Sequence, residues 1–212
     1  MGENVKNLAR LALRTDPVLV SVTDNKTSTV SGLQQGYYIC PVEKRMAWLY
    51  KMLKKSKKLK VMVFFSSCRS VDFHHEFFQK HCKASVLSIH EYIHRVGRTA
   101  RGLNNKGNAV ILLRPEEESF IKFLEKEKVF LDKYTFGEPP NEVQEMLEDL
   151  IANNGVMKIS ARKAYLSFLR CYKKHPLKKI FDINSLNLKL AAKAFGFQEQ
   201  PHVDFCILSK KK

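Results

Sequence analysis

Between residues 36 and 128, short apolar runs rich in β-branched and aromatic residues alternate with stretches of helical spacing, and this alternation limits the folds open to the chain. Gly36 to Cys40 reads as a strand stopped by Pro41. From Val42 the apolar residues Met46, Leu49, Tyr50 and Leu53 recur at i, i+3, i+4 and i+7, one face of an amphipathic helix whose other face and end are basic from Lys44 and Arg45 to Lys60. Val61 to Phe65 is a continuous apolar run, predicted as a strand covered on both faces. Ser66 to Ser70 leads into a helix ending near Lys83, and Ser85 to Ile89 and Ala109 to Leu113 are further short strands. Pro115 opens a helix from Glu116 to about Lys128. Strand alternating with helix predicts a small parallel sheet with right-handed crossovers.

Outside that stretch the pattern changes. Residues 1 to 32 suggest a short helix, a short strand and a polar linker. After Pro139-Pro140 the spacing is helical over Asn141 to Asn154, Ile159 to about Tyr172 and Leu188 to Ala194, with Gly155 as a terminator between the first two. Ile159, Tyr165, Phe168, Leu169 and Tyr172 are expected to face a core, and Arg162, Lys163, Arg170, Lys173 and Lys174 to form a basic outer face. The division implied is an N-terminal segment and linker (1–35), an α/β domain (36–138) and a basic helical extension (139–212).

Charge decides the class of partner. The chain carries 37 Lys and Arg against 21 Asp and Glu, net +16 with pI near 9.7, which points to a polyanion, nucleic acid by default. A membrane surface is the rival, but no apolar run approaches the roughly 20 residues of a spanning helix. No secretory signal is visible behind Met1, and Lys6 argues against myristoylation after Gly2. Five scattered cysteines, never in a C-x-x-C pair, argue against a disulfide framework or zinc site and for a reduced, intracellular chain. The lysine face that ends at Lys60 suits solvent and RNA phosphate equally.

The densest chemistry lies in Glu91 to Gly102, where Arg95, Arg98 and Arg101 accompany His94. At a spacing of three they share one helix face, and guanidiniums so close repel unless an anion faces them. Phosphate is the natural partner. The string HRVGRTARG resembles the last conserved motif of DEAD-box RNA helicases, on the second of their two RecA-like domains. Val61 to Cys68 resembles the family's strand and loop beside the RNA backbone, and Gly107 to Glu117 resembles the strand and helix that follow the arginine motif. Leu177 to Leu188 and Ala194 to Phe197 resemble the extension of nucleolar members that work in ribosome assembly, near the subgroup acting on the large subunit.

The resemblance implies a fold of the α/β class, a truncated RecA-like parallel sheet flanked by helices and followed by an all-α extension. It implies Arg98 and Arg101 as catalytic groups at the γ-phosphate of ATP, His94 beside the nucleotide, and Phe65, Ser66, Ser67 and Arg69 at the RNA backbone, with no protein metal site. Read without the family, a Phe that ends an apolar strand is usually core. Implied too are ATP with Mg2+, pre-rRNA and pre-ribosomal protein partners, a monomer, and a nuclear, nucleolar location. Other candidates are weaker: His74 and His75 read as surface histidines, Tyr165, Phe168 and Tyr172 as core more than base-stacking platform, and Cys68 has no identifiable histidine partner.

Two departures matter. No Gly-x-x-x-x-Gly-Lys-Ser/Thr and no Asp-Glu-Ala-Asp occur, so the chain alone is expected neither to hold ATP with Mg2+ nor to hydrolyse it. And His90 runs directly into Glu91, where the family carries a further helix, strand and Thr-Asp-x-x-x-Arg-Gly motif. The expectation is therefore a shortened helicase product with salt-sensitive RNA binding; a non-catalytic pre-ribosome adaptor and a non-functional product are the alternatives.

Overall fold

A computed structural model describes residues 32–56, 59–82 and 106–203. The elements expected before residue 32 and at Ser85 to Ile89 lie outside them. β1 (Leu33–Ile39) is the central strand of a three-stranded parallel sheet, between β2 (Gly107–Leu113) and β3 (Asp132–Lys133). Leu33 stands opposite Gly107 and Ile39 opposite Leu113, while Gly36 stands opposite Asp132. A Cβ at Gly36 would meet the Tyr134 ring and come within 2.8 Å of the Asp132 carbonyl, so only glycine lets β3 approach here. Past Pro41 the chain makes a 3-10 turn and then α1 (Arg45–Lys55), which buries Met46, Leu49 and Tyr50 as its spacing predicts.

Val61 to Phe65 corrects the sequence reading. It forms no ladder with any described strand; it is an extended, mostly half-buried segment leading into α2 (Cys68–Cys82), with Val63 and Phe65 packed on the main core. An unbroken apolar run dictates burial, and helices can bury it as well as a sheet can. After β2 come a 3-10 turn at Pro115–Glu117, α3 (Ser119–Lys126) and the two-residue β3.

The extension contributes α4 (Glu142–Asn153), α5 (Gly155–Lys174), a 3-10 turn at Ile183–Ser185 and α6 (Leu188–Lys193). Gly155 does not sit in a linker after α4: it is the first residue of α5. The break falls at Asn154, whose Oδ1 accepts the N–H groups of Val156 and Met157, both at 3.1 Å, and so satisfies two donors that a helix start leaves open. Ile159 also departs from expectation, being 58% exposed. The buried stripe of α5 runs through Met157, Ala161, Ala164, Tyr165, Leu169 and Tyr172, and Ile159 lies two residues from that stripe, nearly on the opposite side.

The main core is shared between the two halves of the chain. Phe73, Phe77 and Phe78 of α2 are fully buried among Leu147 of α4, Tyr165 and Leu169 of α5, and Phe195 after α6. Gly196 closes this region at φ +80°, with Ile151 and Leu147 atoms 2.7 to 2.9 Å from where a Cβ would stand. A smaller core gathers Leu113, Phe120, Ile121, Leu124 and Val129, and Phe181 packs against both.

Candidate nucleic-acid interface

The loop from Phe65 to Arg69 is held by the start of α2. Ser67 caps that helix: its Oγ accepts the Ser70 N–H at 3.1 Å and lies 3.0 Å from Ser70 Oγ. Phe65 is half-buried, its ring centroid 4.1 Å from that of His74. Ser66 is exposed, and its carbonyl accepts a hydrogen bond from Cys171 Sγ of α5 at 3.2 Å. Arg69 leaves 62% of its side chain in solvent, with Asp72 only at 3.9 Å. The loop therefore offers one exposed guanidinium loosely paired with Asp72, one exposed hydroxyl and a cap, seated on a packed ring pair. Arg98, Arg101 and His94 lie outside the described residues.

His74, half-buried, is the foundation of the loop. Its Nδ1–H donates to the Ser70 carbonyl at 2.6 Å, and its ring lies among Phe65, Phe73, Phe78 and Phe195. It is thus no surface histidine. Burial pushes its pKa down to about 4, overcoming the Ser70 bond, which pulls the other way. The unfolded imidazole titrates near 6.5, so as pH falls from about 6.5 to about 4 the unfolded chain takes up a proton that the folded chain refuses. Stability is whole above that window and falls through it, by at most about 3 kcal/mol from this group. His81 and His175, both lowered chiefly by burial, act in the same direction. Urea midpoints followed by Trp48 fluorescence at pH 7 and pH 5 should differ, and His74→Gln should shrink the difference; an unchanged difference would assign it elsewhere.

The lysine face of α1 is partly engaged. Lys51 Nζ donates to the Gly137 and Glu138 carbonyls at 3.1 and 2.7 Å, and Lys54 lies 4.6 Å above the Tyr50 ring. Arg45, placed by spacing on the outer face, turns in to Glu117 at 3.2 Å. Glu117 is the centre of a buried network that sequence reasoning missed. Its Oε2 accepts the Arg114 backbone N–H, and its Oε1 accepts Arg114 Nε, both at 2.9 Å. Tyr172 of α5 donates its hydroxyl to Glu117 Oε1 at 2.8 Å, and Arg114 also reaches Ser185 Oγ at 3.2 Å. Burial alone would raise the Glu117 pKa, but Arg45, Arg114 and Tyr172 together hold it below the usual carboxylate range. The reach of Glu117 back to the Arg114 N–H, half of a capping box, was legible in principle from the acid after Pro115. The pair's partners 55 and 71 residues away were not.

Tyr165 and Tyr172 are buried and Phe168 half-buried, on the inner side of α5, as core packing requires. Between α2 and α5 runs an open groove of about 380 Å3, with Arg69, Asp72 and Glu76 on one wall and Val156, Ile159 and Lys163 on the other. Among the described residues no group of three or more acids, histidines or cysteines could hold a metal ion, and no helix is long and apolar enough to cross a membrane.

Residues 155–203 match the family described as ATP-dependent rRNA helicase SPB4-like, C-terminal extension. The chain is 39% identical to the probable ATP-dependent RNA helicase pitchoune of Drosophila melanogaster, over 98% of its own length and 38% of the relative's. It is 39% identical to the ATP-dependent RNA helicase DDX18 of Homo sapiens, over 97% of the chain and 38% of that protein. With has-1 of Neurospora crassa the identity is 36%, over 97% of the chain and 44% of the relative. The chain thus spans about two fifths of the length of the curated relatives it matches. The first alignment is 261 positions long against a chain of 212 residues, so at least 49 of its positions (261 less 212) hold relative residues with no counterpart here.

Proposed function

This chain belongs to the DEAD-box RNA helicases of the DDX18/Has1 group, as a shortened counterpart of their C-terminal region, and from that premise we propose that it binds the backbone of RNA through the loop Phe65, Ser66, Ser67 and Arg69. The observation that carries this reading is the exposure of Ser66 and Arg69 at a loop that Ser67 and His74 hold rigid. Hydroxyl, backbone and guanidinium donors of that kind bind phosphate without reading bases, which suits a protein that acts on many sequences. The RNA is pre-rRNA, the setting is ribosome assembly in the nucleus and nucleolus, and the chain works as a monomer alongside pre-ribosomal proteins. In this reading residues 36–138 are the RNA-facing lobe and 139–212 the extension that braces it.

In this reading the chain alone does not hold ATP with Mg2+, because its sequence carries neither a Gly-x-x-x-x-Gly-Lys-Ser/Thr nor an Asp-Glu-Ala-Asp. His94, Arg98 and Arg101 therefore meet ATP only if another lobe brings it. Purified chain should turn over no ATP above buffer, and turnover that survives Arg101→Ala would reveal a different catalytic site. Binding to a single-stranded oligouridylate, read by fluorescence anisotropy, should weaken steeply with salt. Arg69→Gln should reduce the slope of log K against log salt by about 0.7, the share of one phosphate contact on a single strand. Binding indifferent to salt would sink the reading.

A further inference from the structure

We infer that α5 carries a second phosphate-binding track, formed by Lys163, Arg170 and Lys174, which continues the path of single-stranded RNA beyond the Ser66–Arg69 loop. The inference rests on the RNA reading of that loop but assigns residues of the extension that the reading does not use.

Geometry supplies the argument. Cys171 Sγ meets the Ser66 carbonyl, so the last turn of α5 lies against the loop. Ser167 and Lys174, four residues before and three after Cys171, share its side of the helix. Lys163, one turn before Ser167, lines the same groove as Arg69. Arg170 lies beside this stripe, on the side away from the buried face of Ala161, Tyr165 and Leu169. The stripe spans roughly 16 Å from Lys163 to Lys174 at the rise of an α-helix. All three cations are exposed, and none pairs with a carboxylate among the described residues.

Arg170 and Lys174 are also like charges at i, i+4, an arrangement that weakens a helix in isolation and is relieved when an anion bridges the pair. Asp72 and Glu76 line the α2 wall of the groove near the start of α5. Their charge opposes that of Lys163 and Arg69 in the same groove, so the attraction for phosphate along the stripe rises from Lys163 toward Arg170 and Lys174.

The test uses the full chain with three charge-removing sets: Lys163→Gln with Arg170→Gln and Lys174→Gln; Arg69→Gln alone; and a control, Lys122→Gln with Lys126→Gln and Lys189→Gln, on exposed positions of α3 and α6. Each is titrated with a twenty-nucleotide oligouridylate across a salt series, after urea midpoints show the fold intact. Loss of three contacts should lower the salt slope by about 2 and the affinity near 0.1 M salt about a hundredfold, with the control set near wild type. A stripe set that behaves like the control overturns the track, and if Arg69→Gln weakens binding in the same series, the loop reading stands without it. A stripe effect with a silent Arg69→Gln keeps the track and removes the loop. A wild-type chain that shows no salt-dependent RNA binding overturns both.

Discussion

Removing residues 139–212 is expected to abolish cooperative unfolding of what remains. Sequence periodicity presents the α/β segment and the helical extension as consecutive units, yet they share one core. Phe73 of α2 lies 5.7 Å from Phe195, which in turn packs on Tyr165 at 5.9 Å. Phe73, Phe77 and Phe78, all fully buried, sit in the cluster that holds Leu147, Ile151, Ala161, Ala164 and Leu169. Uncovering side chains of this size costs about 1.5–3 kcal/mol each, and only a few such losses exceed the roughly 5–15 kcal/mol that holds a domain folded. Among the described residues, what would be left is α1 to α3 and a sheet of three strands, one of them two residues long. The check is a urea melt of the truncated chain by Trp48 fluorescence and far-ultraviolet circular dichroism. The full chain should give steep, coincident transitions, and the truncated one gradual or divergent loss. A steep, coincident transition after truncation would show that the α/β segment stands alone.

Glu117→Ala is expected to be the most damaging single substitution. The carboxylate is 3% exposed and the Arg114 side chain 4%, so removing the acid leaves a buried guanidinium with only the half-exposed Glu116, at 3.3 Å, as its carboxylate partner. Breaking one side of a buried pair costs about 3–5 kcal/mol, because the remaining charge keeps its desolvation penalty without compensation. Arg45 and the Tyr172 hydroxyl would lose their acceptor as well. Tyr172→Phe removes one hydrogen bond and should cost on the order of 1–3 kcal/mol. The pair Arg114→Met with Glu117→Leu removes both charges and should recover much of the loss. If the double replacement unfolds at the same urea concentration as Glu117→Ala, the unpaired charge is not the cause. Ser185 and Tyr172 belong to the extension and Arg114 and Glu117 to the segment after β2, so this network and the shared core bind the same two halves.

Legibility in the sequence followed the range of the interactions. α1 was readable because Met46, Leu49, Tyr50 and Leu53 repeat at helical spacing, and the end of β1 because Pro41 punctuates it; Pro115 opens a 3-10 turn, and α3 starts later than expected, at Ser119. Where two local signals competed, the reading slipped. Gly155 looks like a stop, but Asn154 beside it satisfies the first open donors of α5 and takes the break one residue earlier. Resemblance to a family loop singled out Ser66 and Arg69, and the structure adds that both are exposed. The packed place of His74 and the turn of Arg45 toward Glu117 were not legible, since their partners come from distant elements.

The sequence by itself determined the family resemblance, the basic character and most helix positions. Each of these is written in neighbouring residues: a motif eight long, a charge sum, an i, i+4 repeat. Tertiary structure alone decided that Val61 to Phe65 lies outside the described sheet, that the extension completes the core of α2, and that Cys171 sets the basic side of α5 against the Ser66 loop. Periodicity reveals which face of an element is apolar but carries no information about which element covers it. That choice is made by packing and hydrogen bonds between residues up to 105 positions apart.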